Sequence, residues 1–305
     1  MSTFRRLAKS ALEHAFGTDA ALRLAQSVHR GARLVLAYHN VVPGDRPPAT
    51  GDTSLHLPLT VFAAQLDAIE VAGIRVVEIE DPISSSRREP QIALTFDDAY
   101  HGALHYAVPE LAARGFPATV FVAPGLLGAP APWWDLLADP ELGHVPDPIR
   151  SLALGALEGD TTRIVREAAT RGWAMNAPAP EHRIGSEADL ASAMSLHAGL
   201  TFGAHSWGHP NLSSVAASRL HDELTLPLPW LRERWGPRVV RWLAYPYGLA
   251  SREAIQGAAS TAYRGAFLLG GGWHRRVRDP HTARRHNVSS MASAMGFRAR
   301  LAGLR

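Results

Sequence analysis

The chain of 305 residues contains no cysteine, which excludes disulfides, thiolate metal sites and a cysteine nucleophile. Any metal must therefore be held by nitrogen and oxygen. Long apolar runs are also lacking. No stretch approaches the roughly 20 residues that a membrane-spanning helix needs. Near the N-terminus, Arg5, Arg6 and Lys9 are followed by Glu13, His14 and Asp19, with no apolar signal core or small-residue cleavage site. The expected compartment is the cytoplasm, with the inner membrane surface as a variant of it. An excess of one charge is missing too: 31 Lys+Arg face 28 Asp+Glu, a formal net charge of +3. Without a basic run interleaved with aromatics, nucleic acid is not an expected partner. The densest basic segment, residues 274–285 with Arg275, Arg276, Arg278, Arg284 and Arg285, is expected as a solvated loop, with contact to an anionic glycan or lipid phosphate as the lesser reading. Repeats and low-complexity tracts are absent as well.

What is present is a globular composition, 46% hydrophobic and 19% charged. Short apolar runs at 34–38, 74–79, 92–96, 118–122, 200–204, 242–245 and 266–269 read as buried strands. Helix-like segments lie between them, at 60–72, 101–114, 213–235 and 251–263, with Pro227 and Pro229 bending or breaking the third. Apolar strands alternating with helices predict an α/β protein with a parallel sheet covered on both faces. About seven such units predict a distorted (β/α)7–8 barrel. Residues 1–30 form a separate N-terminal segment. Within it Phe4, Leu7, Ala11, Leu12, Ala15 and Phe16 fall at helical spacing, as in a helix packed on the domain or in peripheral contact with a membrane. The barrel is assigned to 31–295, with a Pro/Gly-rich insertion at 124–196 over one end, and a tail at 296–305. Short helices at 153–158 and 161–171 are predicted inside the insertion.

Three motifs carry chemistry. Leu94-Thr95-Phe96-Asp97-Asp98 is a buried strand that ends in two adjacent carboxylates. Two close anions raise each other's pKa unless a cation lies between them, and a divalent metal is the natural cation. Taken alone, a strand end with a helix-capping Asp explains the motif equally well. Gly203-Ala204-His205-Ser206-Trp207-Gly208-His209-Pro210 follows a second apolar run. Its two imidazoles, four residues apart, can converge on one ion if the backbone turns between them, and Gly208 and Pro210 favour such a turn over a helix. Asp98, His205 and His209 together give two nitrogens and one oxygen with open positions, a set suited to Zn²⁺, Co²⁺, Mn²⁺ or Fe²⁺. Leu243-Ala244-Tyr245-Pro246-Tyr247-Gly248 is a strand running into a turn that can present an N–H to an oxyanion. By itself it reads mostly as a turn.

In that order the three motifs resemble the polysaccharide deacetylases, the NodB-homology group of carbohydrate esterase family 4, over roughly residues 33–290. The stretch Leu36-Ala37-Tyr38-His39-Asn40-Val41-Val42 and the triplet Trp133-Trp134-Asp135 resemble a subgroup acting on bacterial surface polysaccharides, and the late Arg284-Arg285-His286-Asn287-Val288 resembles the closing strand of that subgroup. The resemblance implies a NodB-like barrel that hydrolyses the N-acetyl group of acetamido sugars, in an exopolysaccharide or its precursor, by a metal-activated water. The implied cofactor is a divalent metal, zinc first, then Co, Mn, Fe or Ni, and the implied partner is an N-acetylated glycan. Asp97 matches the general base, Asp98, His205 and His209 the metal ligands, and the Tyr247 N–H the oxyanion donor. Ser206 would orient the histidine loop. His39 is the implied general acid, with His286 as the alternative. Asp135 is read as groove-lining, as a support for the base or as a helix cap. Many family members brace the base with an Arg where this chain has Ala244, and no clean late Leu-x-His is present. Two other readings stay open: a deformylase or deacylase of a small or lipid-linked amino sugar, and a non-catalytic carbohydrate-binding relative.

Overall fold

The computed structural model describes residues 18–80, 88–290 and 293–303. Its strands are β1 (Arg33–Tyr38), β2 (Asn40–Val42), β3 (His56–Pro58), β4 (Arg75–Val76), β5 (Gln91–Phe96), β6 (Ala118–Val122), β7 (Leu200–Ala204), β8 (Val239–Ala244), β9 (Gly265–Leu269) and β10 (Ala283–Asn287). Seven of these, β1 and β5 to β10, pair in parallel in the order β1-β10-β9-β8-β7-β6-β5. Strand β5 then returns to β1 along its whole length, from Arg33↔Gln91 to Tyr38↔Phe96, and this pairing closes the barrel. Strand β4 lies against the start of β5, and β2 pairs with β3 outside the barrel.

Every residue of β1, β5 and β6 is buried, so these segments read as unbroken apolar runs. The alternation of strand side chains still divides them into two sets. Leu34, Leu36, Ile92, Leu94, Val120, Phe202 and Leu243 belong to the large outer core shared with the helices. Val35, Ala93, Phe121, Trp242, Ala244, Phe267 and Ala283 form a second cluster within the barrel. That interior is tight. A Cβ at Gly203 would stand 2.5 Å from the Phe121 ring, and one at Gly265 would stand 2.1 Å from the Trp242 ring, so each glycine makes room for an aromatic. Each such fully buried large side chain contributes about 1.5–3 kcal/mol relative to its exposed state.

Several elements differ from their sequence expectation. The segment expected as one helix over 213–235 is two, Ala217–Thr225 and Pro227–Trp235, because Pro227 lacks the N–H that continuation requires. The insertion's first predicted helix lies earlier, at Asp147–Leu154, with Pro148 in its first turn. It cannot run to 158, since Glu158 and Gly159 both take positive φ. The second, Thr161–Arg171, starts after Asp160, whose side chain accepts from Arg163 N at 2.9 Å. The segment expected as a tail from 296 is instead mostly the helix Ala294–Leu301, which buries Phe297, Ala299 and Leu301 and packs on the helices Leu59–Val71 and Asp19–Val28. The remainder of the N-terminal amphipathic pattern, Phe4 to Phe16, lies outside the described residues. Among the described residues no helix is long and apolar enough to cross a membrane.

The insertion leaves the C-terminal end of β6 and returns at β7, so it covers the barrel mouth where all seven strand tips point. It has its own apolar cluster, centred on Trp133, Trp134, Leu137, Val145 and Ile164, against which Tyr247 packs.

Candidate metal centre and catalytic cleft

His39 follows β1, Asp97 and Asp98 follow β5, His205 follows β7, and Tyr247 lies in the turn after β8. Because the strands are parallel, these tips meet at one end of the barrel. With His209, Trp134, Arg150, Leu269 and Asn287 among others, they line one cleft of about 570 Å³.

At the cleft's base, Asp98 Oδ1 lies 3.0 Å from His209 Nε2 and 3.4 Å from His205 Nε2, and the two ring nitrogens are 3.2 Å apart. All three residues are buried. His205 Nδ1 is 2.8 Å from Ala244 O, a carbonyl that can only accept, so Nδ1 carries the hydrogen. Its Nε2 therefore turns a lone pair toward His209 and Asp98. Asp98 Oδ1 makes no other hydrogen bond. Burial pushes the Asp98 carboxyl up, but the two imidazoles more than offset this and hold it well below the usual range. Two ring nitrogens and a carboxylate oxygen converging out of water fit a divalent cation, with positions left open toward the cleft.

The backbone is bent to achieve this convergence. Asp98, Ala99, Ser206, His209 and Tyr247 all have positive φ, between 54° and 67°. Such strain in non-glycine residues clusters where the surrounding structure holds it for function. Ser206 Oγ accepts from His209 N at 3.0 Å, which fixes the turn between the two histidines.

Asp97 is also buried, and its bracing arginine comes from a strand other than that of Ala244. Arg285 reaches it from β10, across the intervening strand β1, with Nη1 donating to Oδ1 at 2.6 Å and Nη2 to Oδ2 at 2.7 Å. Arg285 Nη1 also donates to Thr95 Oγ1 at 3.0 Å, and the guanidinium lies 5.1 Å from the Phe121 ring. This corrects the reading of residues 274–285 as a solvated stretch. Arg275, Arg276, Arg278 and Arg284 are exposed, but Arg285 is 0% exposed. The alternation of β10 turns Ala283 and Arg285 inward and Arg284 outward. Burial raises the Asp97 carboxyl, but the charge of Arg285, followed by those of His205 and His39, brings it below its ordinary value.

The two candidate acids are separated by the same alternation. His39 is half-buried and lines the cleft, and its Nδ1 has no partner. His286 sits on β10 one residue past Arg285 and is not among the residues lining the cleft. Burial and the nearby Arg300 push its imidazole down to about 4. Tyr247 N–H bonds to no other described group. Its hydroxyl accepts from Trp133 Nε1 at 2.8 Å and donates to Gly159 O at 3.3 Å, and its ring lies 4.7 Å from that of His209.

Asp135 neither lines the cleft nor touches Asp97, and the residue at the helix-cap position is Pro132. Asp135 is fully buried. Its Oδ1 accepts from Asp52 N at 2.8 Å and lies 2.9 Å from His56 Nε2, while Oδ2 accepts from the Tyr100 hydroxyl at 2.8 Å. Trp134 Nε1 donates to the same hydroxyl at 2.7 Å, and the Trp134 ring stands 5.0 Å from His209. Through the Tyr100 hydroxyl Asp135 thus orients Trp134, which packs against His209. A second unanticipated carboxylate, Glu223, is also buried. Its Oε2 accepts from Trp207 N at 2.9 Å and Gly208 N at 2.7 Å, both between the two histidines. Arg219 joins Glu223 at 3.0 Å to Asp160 of the insertion at 2.6 Å. The i, i+4 spacing of Arg219 and Glu223 was visible in the sequence, but nothing local pointed them at the histidine loop.

A family model for polysaccharide deacetylases matches residues 84–266, more than half of the chain, and spans Asp97, Asp98, His205, His209 and Tyr247. The chain belongs to the polysaccharide deacetylase family. Solved structures agree on the fold of this deacetylase. It is similar to the deacetylase PplD of Streptococcus pyogenes, solved with acetate, at 16% identity and a TM-score of 0.60, covering 88% of this chain and 98% of that one. It is similar to IcaB of Ammonifex degensii at 18% identity and a TM-score of 0.59, covering 90% and 97%. The deacetylase domain of BpsB from Bordetella bronchiseptica is similar at 20% identity and a TM-score of 0.54, covering 84% and 96%. No curated protein matches by sequence.

Proposed function

We propose that this deacetylase hydrolyses the N-acetyl group of acetamido sugars in a bacterial polysaccharide or its precursor, with a divalent metal held by Asp98, His205 and His209. The observation that carries the reading is the convergence of those three buried ligand atoms, within 3.4 Å of one another, in the cleft that Asp97 also lines. Zinc suits two nitrogens and one oxygen with open positions. A bound divalent ion supplies acidification of water and polarisation of the acetyl oxygen.

The chain's own residues do the rest. Asp97, kept ionised and fixed in orientation by Arg285, takes the proton of the attacking water as its oxygen bonds to the acetyl carbon. The Tyr247 N–H, held ready by its positive φ, donates to the oxyanion, a contact worth about 3–4 kcal/mol in comparable sites. The amine nitrogen takes a proton from the His39 imidazolium as the C–N bond breaks, acetate leaves, and the proton on Asp97 passes to solvent. His39 is preferred over His286 because it lines the cleft. Trp134, Tyr247 and Leu269 give the cleft apolar wall against which the acetyl methyl and a sugar face can rest.

The test is acetate release from a panel of acetylated glycans by chelated protein, before and after metal add-back. Activity that vanishes on chelation and returns with Zn²⁺ or a similar ion supports the reading. Formate release in place of acetate would point to a deformylase, and full activity in the chelated protein would remove the metal from the mechanism.

A further inference from the structure

The insertion places one guanidinium in the cleft that the mechanism above does not use. Arg150, on the helix Asp147–Leu154, is half-buried and lines the same cleft as Asp97, Asp98, His205, His209 and Tyr247. Its side chain makes no hydrogen bond or ion pair with any other described residue. Other arginines of this region are engaged: Arg285 with Asp97, Arg219 with Asp160 and Glu223, and Arg163 with Glu158.

The acids of the cleft do not answer for Arg150. Asp97 is held by Arg285, and Asp98 by the two imidazoles. Asp52 Oδ1 accepts from the Ser54 hydroxyl at 2.6 Å and from Ser54 N at 3.2 Å. Asp147 is exposed one turn earlier on the same helix and forms no ion pair with Arg150. The Arg150 nitrogens stay within reach of the water that fills the cleft, so the charge is available to a ligand there. A guanidinium matches a carboxylate or phosphate in particular, since its planar fork donates two parallel hydrogen bonds to such a group.

We infer that Arg150 is an anion subsite, and that the acetamido sugar bound here carries an oxyanion, a phosphate or a carboxylate, on the segment that fills the cleft. This inference rests on the deacetylase reading for the placement of the acetamido group at the metal centre. It goes beyond that reading in the class of substrate it names: anionic acetamido glycans, not neutral ones.

The experiment compares acetate release by the metal-loaded protein from three disaccharides of N-acetylglucosamine: a neutral one, one bearing a phosphate monoester and one whose second ring is a uronate. The wild-type protein should favour one of the charged substrates in kcat/KM by about tenfold or more. Arg150→Gln should reduce kcat/KM on that substrate about 10- to 100-fold more than on the neutral one, and Arg150→Lys should restore part of the difference. Whether phosphate or uronate gives the larger effect identifies the anion. Equal use of all three substrates by the wild type, or equal losses on all three in Arg150→Gln, would overturn the subsite. If the wild type releases no acetate from any substrate, the deacetylase reading fails, and the subsite is then read by calorimetric binding of the phosphorylated disaccharide. Binding weakened about tenfold or more in Arg150→Gln upholds the subsite, and unchanged binding overturns it.

Discussion

The mouth of the barrel is made by two regions that contribute in different ways. The strand tips supply the ionisable groups: His39 after β1, Asp97 and Asp98 after β5, His205 after β7, and Arg285 within β10. The insertion between β6 and β7 supplies none of the residues proposed as metal ligands or base. It supplies hydrogen bonds to the backbone that carries them. Gly185 N donates to Ala99 O at 2.8 Å, and His101 N donates to Arg183 O at 2.9 Å, beside the two aspartates. Asn211 N donates to Glu158 O at 2.7 Å, two residues past His209. The hydroxyl of Tyr247 reaches Gly159 O, and Asp160 reaches the histidine loop through Arg219 and Glu223. The division follows from strain. Five non-glycine residues with positive φ, each costing about 1–3 kcal/mol, stand at the strand tips and persist only if something over-determines them. The sixth among the described residues, Glu158, lies in the insertion turn that holds Asn211. Chemistry is thus assigned to the sheet, and the maintenance of its geometry to the insertion.

If the two regions differ in this way, substitutions in them should separate in kind as well as size. The largest effect should come from the base. Asp97→Asn should lower acetate release by about 10²- to 10⁴-fold while the protein still binds its metal with normal stoichiometry. Full activity in that variant would remove Asp97 from the role of base. Arg285→Met comes next. It leaves a buried carboxylate without its partner, which should cost about 3–5 kcal/mol of folding stability in urea titrations. Combining it with Asp97→Asn should recover part of that loss, because the uncompensated charge is then gone. A double variant as unstable as Arg285→Met alone would mean that the ion pair is not what Arg285 supports.

The same contrast explains what the sequence made legible. Asp97-Asp98 and His205-x-x-x-His209 each follow an unbroken apolar run, and a run that ends abruptly in ligating side chains is a local signal. Parallel strands that all open at one end then bring them together. Arg285 gives no such signal. In Ala283-Arg284-Arg285-His286-Asn287 only Ala283 is apolar, so the stretch resembles a surface loop. Which of the two arginines turns inward depends on how β10 completes the ring with β1 and β9, a long-range fact. The family resemblance marks 284–288 as the closing strand, and period-2 phase counted from Ala283 then selects Arg285 as the inward residue. The insertion was less legible still. Its ties join residues far apart in sequence, Asn211 to Leu154 and Glu158, Asp160 to Arg219, and Trp133 to Tyr247. No periodicity encodes such pairings, and backbone carbonyls, which do much of the holding, carry no residue identity at all.

Glu223→Ala tests whether the support can be weakened without touching the chemistry. It removes the acceptor shared by Trp207 N and Gly208 N, so the loop between His205 and His209 loses its anchor. Metal affinity should fall about 10- to 100-fold, as for other residues that orient ligands without touching the ion. At saturating metal, the surviving kcat should lie far closer to wild type than that of Asp97→Asn. A variant with normal metal affinity would show that the loop holds its shape without Glu223.

The smallest effect should come from Trp133→Phe, which removes one donor to the Tyr247 hydroxyl and keeps most of the ring's packing in the insertion's apolar cluster. A neutral hydrogen bond of this kind contributes about 0.5–1.5 kcal/mol. The Tyr247 hydroxyl still has Gly159 O as an acceptor, so the ring should stay in place but move more freely. The Tyr247 N–H is assigned a partner only when charge develops on the acetyl oxygen. Its looser placement should therefore lower kcat several-fold and leave KM nearly unchanged. A rise in KM at constant kcat would instead make Trp133 part of the substrate wall, and the separation between a sheet that reacts and an insertion that steadies it would fail at that residue.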